Sequence, residues 1–161
     1  MISNFNFLSI DMDTAELFRT INMAEENYTH GDYEGTLTKV RKVAENTARL
    51  IADREYLELS ERSTFNDVLR EIKGLIPNKT IVDRFYDIKG KGNNSAHKLN
   101  PEDATKENAL KALKQVFDIL AWFMLTYIDP AIKESAIGQF LEPRAQELYT
   151  TAERKFIYVQ T

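Results

Sequence analysis

Residues 89–97, which read KGKGNNSAH, carry the residue types in this chain that are best suited to chemistry. The two glycines free the backbone, and the asparagines and serine can cap a turn or bind a ligand. His97 is the residue type whose charge changes near neutral pH, so it could give or take a proton. The segment predicts a helix-to-loop junction that binds a phosphate group or places an imidazole as a base.

Basic residues surround this segment although the chain as a whole is acidic. From Arg84 to Lys98, four basic residues stand against the single acidic residue Asp87, a local charge of +3. The whole chain has a formal charge of −4 and a pI near 5.3, so any contact with nucleic acid would have to use this local patch. The candidate phosphate-binding residues are Arg84, Lys89, Lys91 and Lys98.

A purely structural interpretation of the same segment is the alternative. Gly92 and Asn93 form a common turn pair, and Asn93 and His97 could serve only to satisfy backbone groups between two helices. The lysines could lie at a solvated helix end, where cations favour the negative pole of the helix dipole.

The composition predicts one globular domain spanning residues 1–161. Apolar residues make up 43% of the chain and charged residues 29%, and this length supports a hydrophobic core. The absence of cysteine excludes a disulfide scaffold and a thiolate metal site. No signal peptide is visible, and the longest apolar run, residues 116–128, is shorter than the ~20 residues that a bilayer requires. We therefore predict a cytoplasmic protein with no membrane contact.

Common catalytic motifs are missing from the sequence. It contains no Walker loop, GxGxxG, HExxH or GxSxG motif. Its two histidines, His30 and His97, lack metal-ligand spacing. No cofactor and no metal site are predicted, and no catalytic residue stands out from a motif.

Hydrophobic periodicity predicts an all-α fold, a compact bundle of about five to six helices. The clearest helix covers about residues 33–56, where Leu37, Val40, Ala44, Thr47 and Ile51 repeat on one face. Capping boxes at Asp13 with Glu16 and at Thr64 with Asp67 predict the starts of two further helices. Asn78 is a plausible cap for a helix that ends at about Lys89, with Ile81, Val82, Phe85 and Ile88 facing inward. Three more helices are expected over about 103–128, 131–141 and 144–149.

The two ends of the chain and the longest helix raise further expectations. Residues 5–10 are apolar without helical spacing, and residues 155–160 read KFIYVQ, so short extended segments are predicted at both termini. Residues 155–160 could pair with residues 5–10 or with a strand beyond Thr161, and we expect the chain to be the N-terminal part of a longer one. The helix over 110–128 is apolar on more than one side, which is compatible with a central position or with a homodimer.

Three stretches of the sequence, taken together, resemble the uncharacterised helical domain at the N-terminus of many type I restriction enzyme R subunits and related helicase-like proteins. They are KVRKVAE at 39–45, IVDRFYDIKGKGNNSAH at 81–97 and LKALKQVFDILAWFMLTYID at 110–129. The resemblance covers about residues 13–129 and leaves 130–161 as a C-terminal extension. Arg41 and Glu45 match an arginine and a glutamate four apart in the family pattern. The resemblance implies that they form a structural polar pair.

The family pattern continues with a basic residue, Gly-Asn and a histidine, which Lys89, Gly92, Asn93 and His97 match, with lysine where arginine is usual. The family is similar to the HEPN superfamily of helical bundles, which often dimerise. Active HEPN ribonucleases have an arginine, then a polar residue, then a histidine, and two such motifs cleave RNA without metal at a dimer interface. Here Gly92 stands where that arginine is expected.

The leading functional hypothesis is a non-catalytic assembly or recognition module of a restriction or defence protein. Its partners would be other domains or subunits of such a complex, and Asn93 and His97 would lock their loop in place. One alternative is a metal-independent ribonuclease, with His97, Asn93, Lys89 and Glu45 as the active-site candidates. A second is a local nucleic-acid-binding module that uses the four basic residues named above, with affinity that falls with salt.

Overall fold

The computed structural model describes residues 2–92 and 101–145 of the chain. Within these ranges all regular secondary structure is helical and no strand is present, which confirms the predicted all-α class. Residues 93–100 and 146–161, including the predicted strand over 155–160, lie outside the described residues. The six α-helices span Met12–Thr29 (α1), Tyr33–Arg54 (α2), Phe65–Ile72 (α3), Lys79–Gly92 (α4), Lys106–Phe123 (α5) and Glu134–Ile137 (α6).

Helix α2 is the centre of the bundle and contacts α1, α3, α4 and α5. The five apolar positions that the sequence places on one face of this helix are all buried, as predicted. Helices α1 and α2 form an antiparallel hairpin around His30–Asp32, where Gly31 adopts a φ of 78° that favours glycine. His30 therefore lies exposed in a tight turn at one end of the hairpin.

Helix α5 packs on two sides within the chain, which explains the breadth of its apolar surface. One side faces α2 and α4. On another side the ring of Phe117 makes edge contacts with Phe5, Phe7 and Phe140, at centroid distances of 5.6–5.8 Å. The terminal segments of the described chain thus cover the second apolar side of α5.

The N-terminal segment is a 3-10 helix over Asn6–Ile10, so the extended conformation predicted for it is wrong. Phe5 and Leu8 are fully buried, and the Thr14 hydroxyl donates a hydrogen bond to the Leu8 carbonyl at 2.5 Å. Tight 3-10 turns place these neighbouring apolar side chains against the bundle without the periodicity of an α-helix. The segment therefore cannot serve as the strand partner proposed for residues 155–160.

The starts of three helices test the predicted caps. The capping box of Thr64 and Asp67 is present at α3, as predicted. Helix α1 is capped by Asp11 rather than Asp13, because the Asp13 carboxylate binds Arg54 instead. Helix α5 begins after Thr105, three residues later than predicted, since Pro101–Asp103 forms a separate 3-10 turn.

Helix ends also differ from the predictions in the second half of the chain. Helix α4 runs through Gly90 to Gly92, past the predicted end near Lys89. Helix α5 continues as a π-helix over Met124–Ile128, so its predicted end at residue 128 is correct. The helix predicted over 131–141 is reduced to the four residues of α6, because Gly138 adopts a φ of 76° directly after it. Residues 144 and 145 are not helical, and the rest of the helix predicted over 144–149 lies outside the described residues.

Candidate functional site

Arg84, predicted to bind phosphate, is held between two helices. It lies on α4, whose inward face carries the buried residues Ile81, Phe85 and Ile88. The Arg84 Nε lies 2.8 Å from the Asp118 Oδ2 of α5, and both side chains are about one third exposed. The Nε–H bond is not directed at the carboxylate, so the contact is an ion pair rather than a hydrogen bond. The charge of Arg84 is therefore engaged in joining α4 to α5.

Asp87 makes a second polar bridge between the same two helices. The Gln115 Nε2 of α5 donates a hydrogen bond to the Asp87 Oδ2 at 3.0 Å, and Gln115 is only 4% exposed. The other amide atom, Gln115 Oε1, is buried and accepts no hydrogen bond from the described residues. Polar side chains of α4 thus fix the orientation of the helix that leads into residues 93–100.

The other predicted residues of this segment are only partly described. Lys89 is half-buried on the last turn of α4. The side chains of Lys91, Asn93, His97 and Lys98 lie outside the described residues, so the predicted assembly of these residues around His97 stays a prediction.

Arg41 and Glu45 belong to a ladder of charges on α2. The Arg41 Nη1 lies 3.6 Å from Glu45 Oε1, and the Arg49 Nη2 lies 3.4 Å from Glu45 Oε2. Arg49 also donates to the Ser63 carbonyl at 2.6 Å, and the Arg41 guanidinium lies over the Phe65 ring. Glu45 is thus held between two guanidinium groups, and the ladder ties α2 to the start of α3.

Glu25 is a buried carboxylate that the sequence reasoning missed. Its oxygens accept hydrogen bonds from the Ser3 hydroxyl, the Asn4 backbone N–H at 3.0 Å and the Asn4 Nδ2 at 3.1 Å. Burial raises the pKa of Glu25 above its ordinary value, although the bonds from Ser3 and Asn4 lower it in part. The helical spacing could have predicted the burial of Glu25, because this residue follows the buried Ile21 by four positions on the inward face of α1.

The same region joins both terminal segments of the described chain. The Asn4 side chain donates to the Leu141 carbonyl and accepts from the Leu141 N–H, both at 2.8 Å. The Tyr28 hydroxyl donates to Glu142, and burial together with this bond raises the pKa of Tyr28. Two cavities of about 510 and 560 Å³ lie beside the segment after α6, and both are lined in part by Glu142, Pro143 and Arg144.

The raised pKa of Glu25 predicts a pH-dependent contribution to stability. A carboxyl whose folded-state pKa is raised contributes stability that is complete below its ordinary pKa of 4.5 and is lost as pH rises through the folded-state value. Glutamine cannot ionise and can still accept from Asn4. In urea denaturation from pH 4 to pH 8, the free energy of unfolding of Glu25→Gln should therefore rise relative to that of the natural protein as pH increases.

The exposed neighbour provides the matched control for this pH series. Glu26 lies next to Glu25 on α1 but faces solvent. Glu26→Gln should show no such trend, and a difference for Glu25→Gln that is constant across the pH range would contradict the prediction.

In residues 2–92 and 101–145, no group of three or more His, Asp or Glu side chains is placed to hold a metal ion. No helix in the part of the chain that the structure describes is long and apolar enough to cross a membrane.

Comparison with known protein families, curated proteins and solved structures finds no match for this chain. The observations above define its class as an all-α helical bundle, with α2 at the centre and polar bridges that fix α3 and α4.

Proposed function

We propose that this chain is a non-catalytic assembly or recognition module, with a HEPN-like helical bundle, of a restriction or defence protein. The three-stretch resemblance over residues 13–129 supports this proposal, and the all-helical fold agrees with it. The observation that carries the non-catalytic part is that two of the charged candidate residues, Glu45 and Arg84, are engaged in ion pairs. Glu45 lies between Arg41 and Arg49, and the charge of Arg84 is paired with Asp118.

These contacts matter because a catalytic group must reach the substrate and change its protonation or its partner during the reaction. To reach a substrate, the Glu45 carboxylate would have to leave both Arg41 and Arg49. Arg84 would have to leave Asp118 to bind a phosphate.

The assembly role is tested by co-expression. The whole reading frame that encodes this chain is expressed together with the frames that flank its gene, and the tagged product is purified and analysed by mass photometry. We expect a complex of fixed stoichiometry that contains a protein with helicase or DNA-modification motifs. A product that purifies alone at low salt would overturn the assembly role.

The absence of catalysis is tested with purified protein and RNA. We expect no cleavage of single-stranded or structured RNA in EDTA, and we expect His97→Ala to lower the melting temperature. His30→Ala is the matched control, because His30 is the other histidine and lies exposed in the turn before α2. Metal-independent cleavage that His97→Ala abolishes would support the ribonuclease alternative, and an unchanged melting temperature would contradict the structural role of His97.

A further inference from the structure

Tyr56 occupies a backbone position that normally requires glycine. At the end of α2 the Tyr56 N–H donates to the Asp53 carbonyl at 3.1 Å, and the Leu57 N–H donates to the Ala52 carbonyl at 2.9 Å. This pair of bonds defines a Schellman motif, in which the residue after the cap adopts a left-handed conformation and is usually glycine. Tyr56 has a φ of 58° and is the one non-glycine residue with positive φ in the described ranges.

The side chain of Tyr56 does not offset the backbone strain by packing against the protein. Its relative exposure is 93%, so the ring lies almost entirely in solvent. An aromatic residue at a left-handed position is strained, and residues held in such conformations concentrate at functional sites. A tyrosine that strains the backbone and packs against nothing points to a role outside folding.

Arg54 holds this end of the bundle in place. Its Nη2 donates to Asp13 Oδ2 of α1 at 2.9 Å, and its Nη1 donates to the Tyr127 carbonyl at 3.1 Å. The Tyr127 hydroxyl in turn donates to Glu55 at 2.7 Å. Tyr127 lies in the π-helix after α5, an irregularity that is frequent at functional sites. Three elements, α1, α2 and the π-helix, are therefore joined by hydrogen bonds next to Tyr56.

Two more apolar side chains are exposed at this end of the α1–α2 hairpin. Met12, next to Asp13, is 91% exposed, and Ile10 is 60% exposed. We call Ile10, Met12 and Tyr56 the open-end surface, because they lie opposite the turn that closes the hairpin. Methionine and tyrosine side chains are favoured at protein interfaces because they offer large contact areas that adapt to a partner.

The segments that carry the open-end surface, together with the π-helix that contacts Arg54 and Glu55, are strongly acidic. Residues 10–16, 53–61 and 124–130 contain eight acidic residues and a single basic residue, Arg54. The charge of Arg54 is already paired with Asp13. The surroundings would repel nucleic-acid phosphates and a second copy of the same surface, and they would attract cationic groups.

We propose that the open-end surface docks a basic segment of a partner protein, with apolar anchors against Tyr56 and Met12 and lysine or arginine side chains toward the acidic surroundings. A cation placed over the exposed Tyr56 ring would add a cation–π contact. The inference rests on the proposed assembly role and names the surface through which that role would be carried out.

The experiment is a selection of displayed random peptides on the natural protein, with counter-selection on Tyr56→Gly. We expect enriched sequences in which lysine or arginine flanks an aromatic or aliphatic residue. Their affinity for Tyr56→Gly should fall at least tenfold, and their affinity for the natural protein should fall with added salt. Leu75→Ala, which truncates an exposed apolar residue between α3 and α4, is the matched control and should bind as the natural protein does.

Two further measurements separate loss of binding from loss of folding. Tyr56→Gly should raise the melting temperature, because it relieves the left-handed strain. In methionine-methyl NMR, a selected peptide should shift the Met12 signal and leave that of the buried Met124 nearly unchanged. The proposal is overturned if no basic sequence is enriched, if peptides bind Tyr56→Gly equally well, or if Tyr56→Gly lowers the melting temperature.

The outcomes also distinguish this surface from the proposed function. If the co-expressed complex forms and Tyr56→Gly does not weaken it, the proposal that the open-end surface docks the partner is wrong, and the assembly role is retained. If basic peptides bind at Tyr56 and no complex forms with the products of the flanking genes, the docking proposal for the open-end surface is retained. The restriction or defence context is then wrong.

Discussion

Phe5→Ala is expected to lower the free energy of unfolding by about 3–5 kcal/mol, the range for truncating a buried phenylalanine. Phe5 is fully buried although it lies near the start of the chain. Its ring packs edge-on against Phe117 of α5 at 5.8 Å and lies 6.3 Å from Phe7. Removal of the ring would leave a cavity between the N-terminal segment and α5, and it would weaken the adjacent clasp of Ser3 and Asn4 on Glu25.

The control for this experiment lies three residues away on the same segment. Ile2 is 84% exposed, so Ile2→Ala should change the free energy of unfolding by less than about 0.5 kcal/mol. Urea denaturation followed by circular dichroism measures both variants. If Phe5→Ala cost no more than Ile2→Ala, the N-terminal segment would not be part of the core.

The sequence could not reveal this role of Phe5, because it depends on contacts between distant residues. Residues 5–10 have no helical period, so their apolar character was interpreted as an extended segment, whereas the chain forms 3-10 turns. The partner ring, Phe117, lies far along the chain. The apparent excess of apolar surface on α5 was visible in the sequence, but nothing local indicated that the N-terminal segment would cover it.

Features with local causes were predicted well. The buried face of α2 follows from spacing alone, and the capping box at Thr64 and Asp67 requires only residues three apart. The order and approximate bounds of the longer helices follow from the same periodicity. Errors arose where a tertiary contact competed with a local one, as at Asp13, which binds Arg54 instead of capping α1.

In the candidate site, too, contacts between residues close in sequence could be predicted, and contacts that depend on helix packing could not. The sequence favours Arg84 as a phosphate ligand because residues 84–98 carry a local charge of +3, whereas Asp118 reaches Arg84 only through the packing of α4 on α5. The second partner of Glu45, by contrast, is Arg49 four residues on, a spacing that the sequence displays. The left-handed backbone of Tyr56 could not be predicted from the sequence, because a Schellman motif at a helix end is usually indicated by glycine.

Phe85→Ala is the second substitution with a large expected effect, again about 3–5 kcal/mol in the free energy of unfolding. Phe85 is fully buried on α4, and α4 packs against both α2 and α5. It lies between Arg84 and Asp87, whose bridges to Asp118 and Gln115 depend on the position of the helix. Loss of the ring should therefore also increase amide hydrogen exchange along α4 before global unfolding.

The ion pair beside Phe85 provides the discriminating control. Arg84→Met removes the contact with Asp118 but keeps most of the side-chain bulk, and a pair exposed to solvent by about one third should contribute no more than about 1 kcal/mol. Asp83→Ala, at an exposed position of α4, should have almost no effect. If Arg84→Met cost as much as Phe85→Ala, charge pairing rather than apolar burial would hold α4 in place. The expected order, with Phe85→Ala far more damaging, means that α4 is held in the bundle by the hydrophobic core and that the polar bridges to α5 only set its orientation.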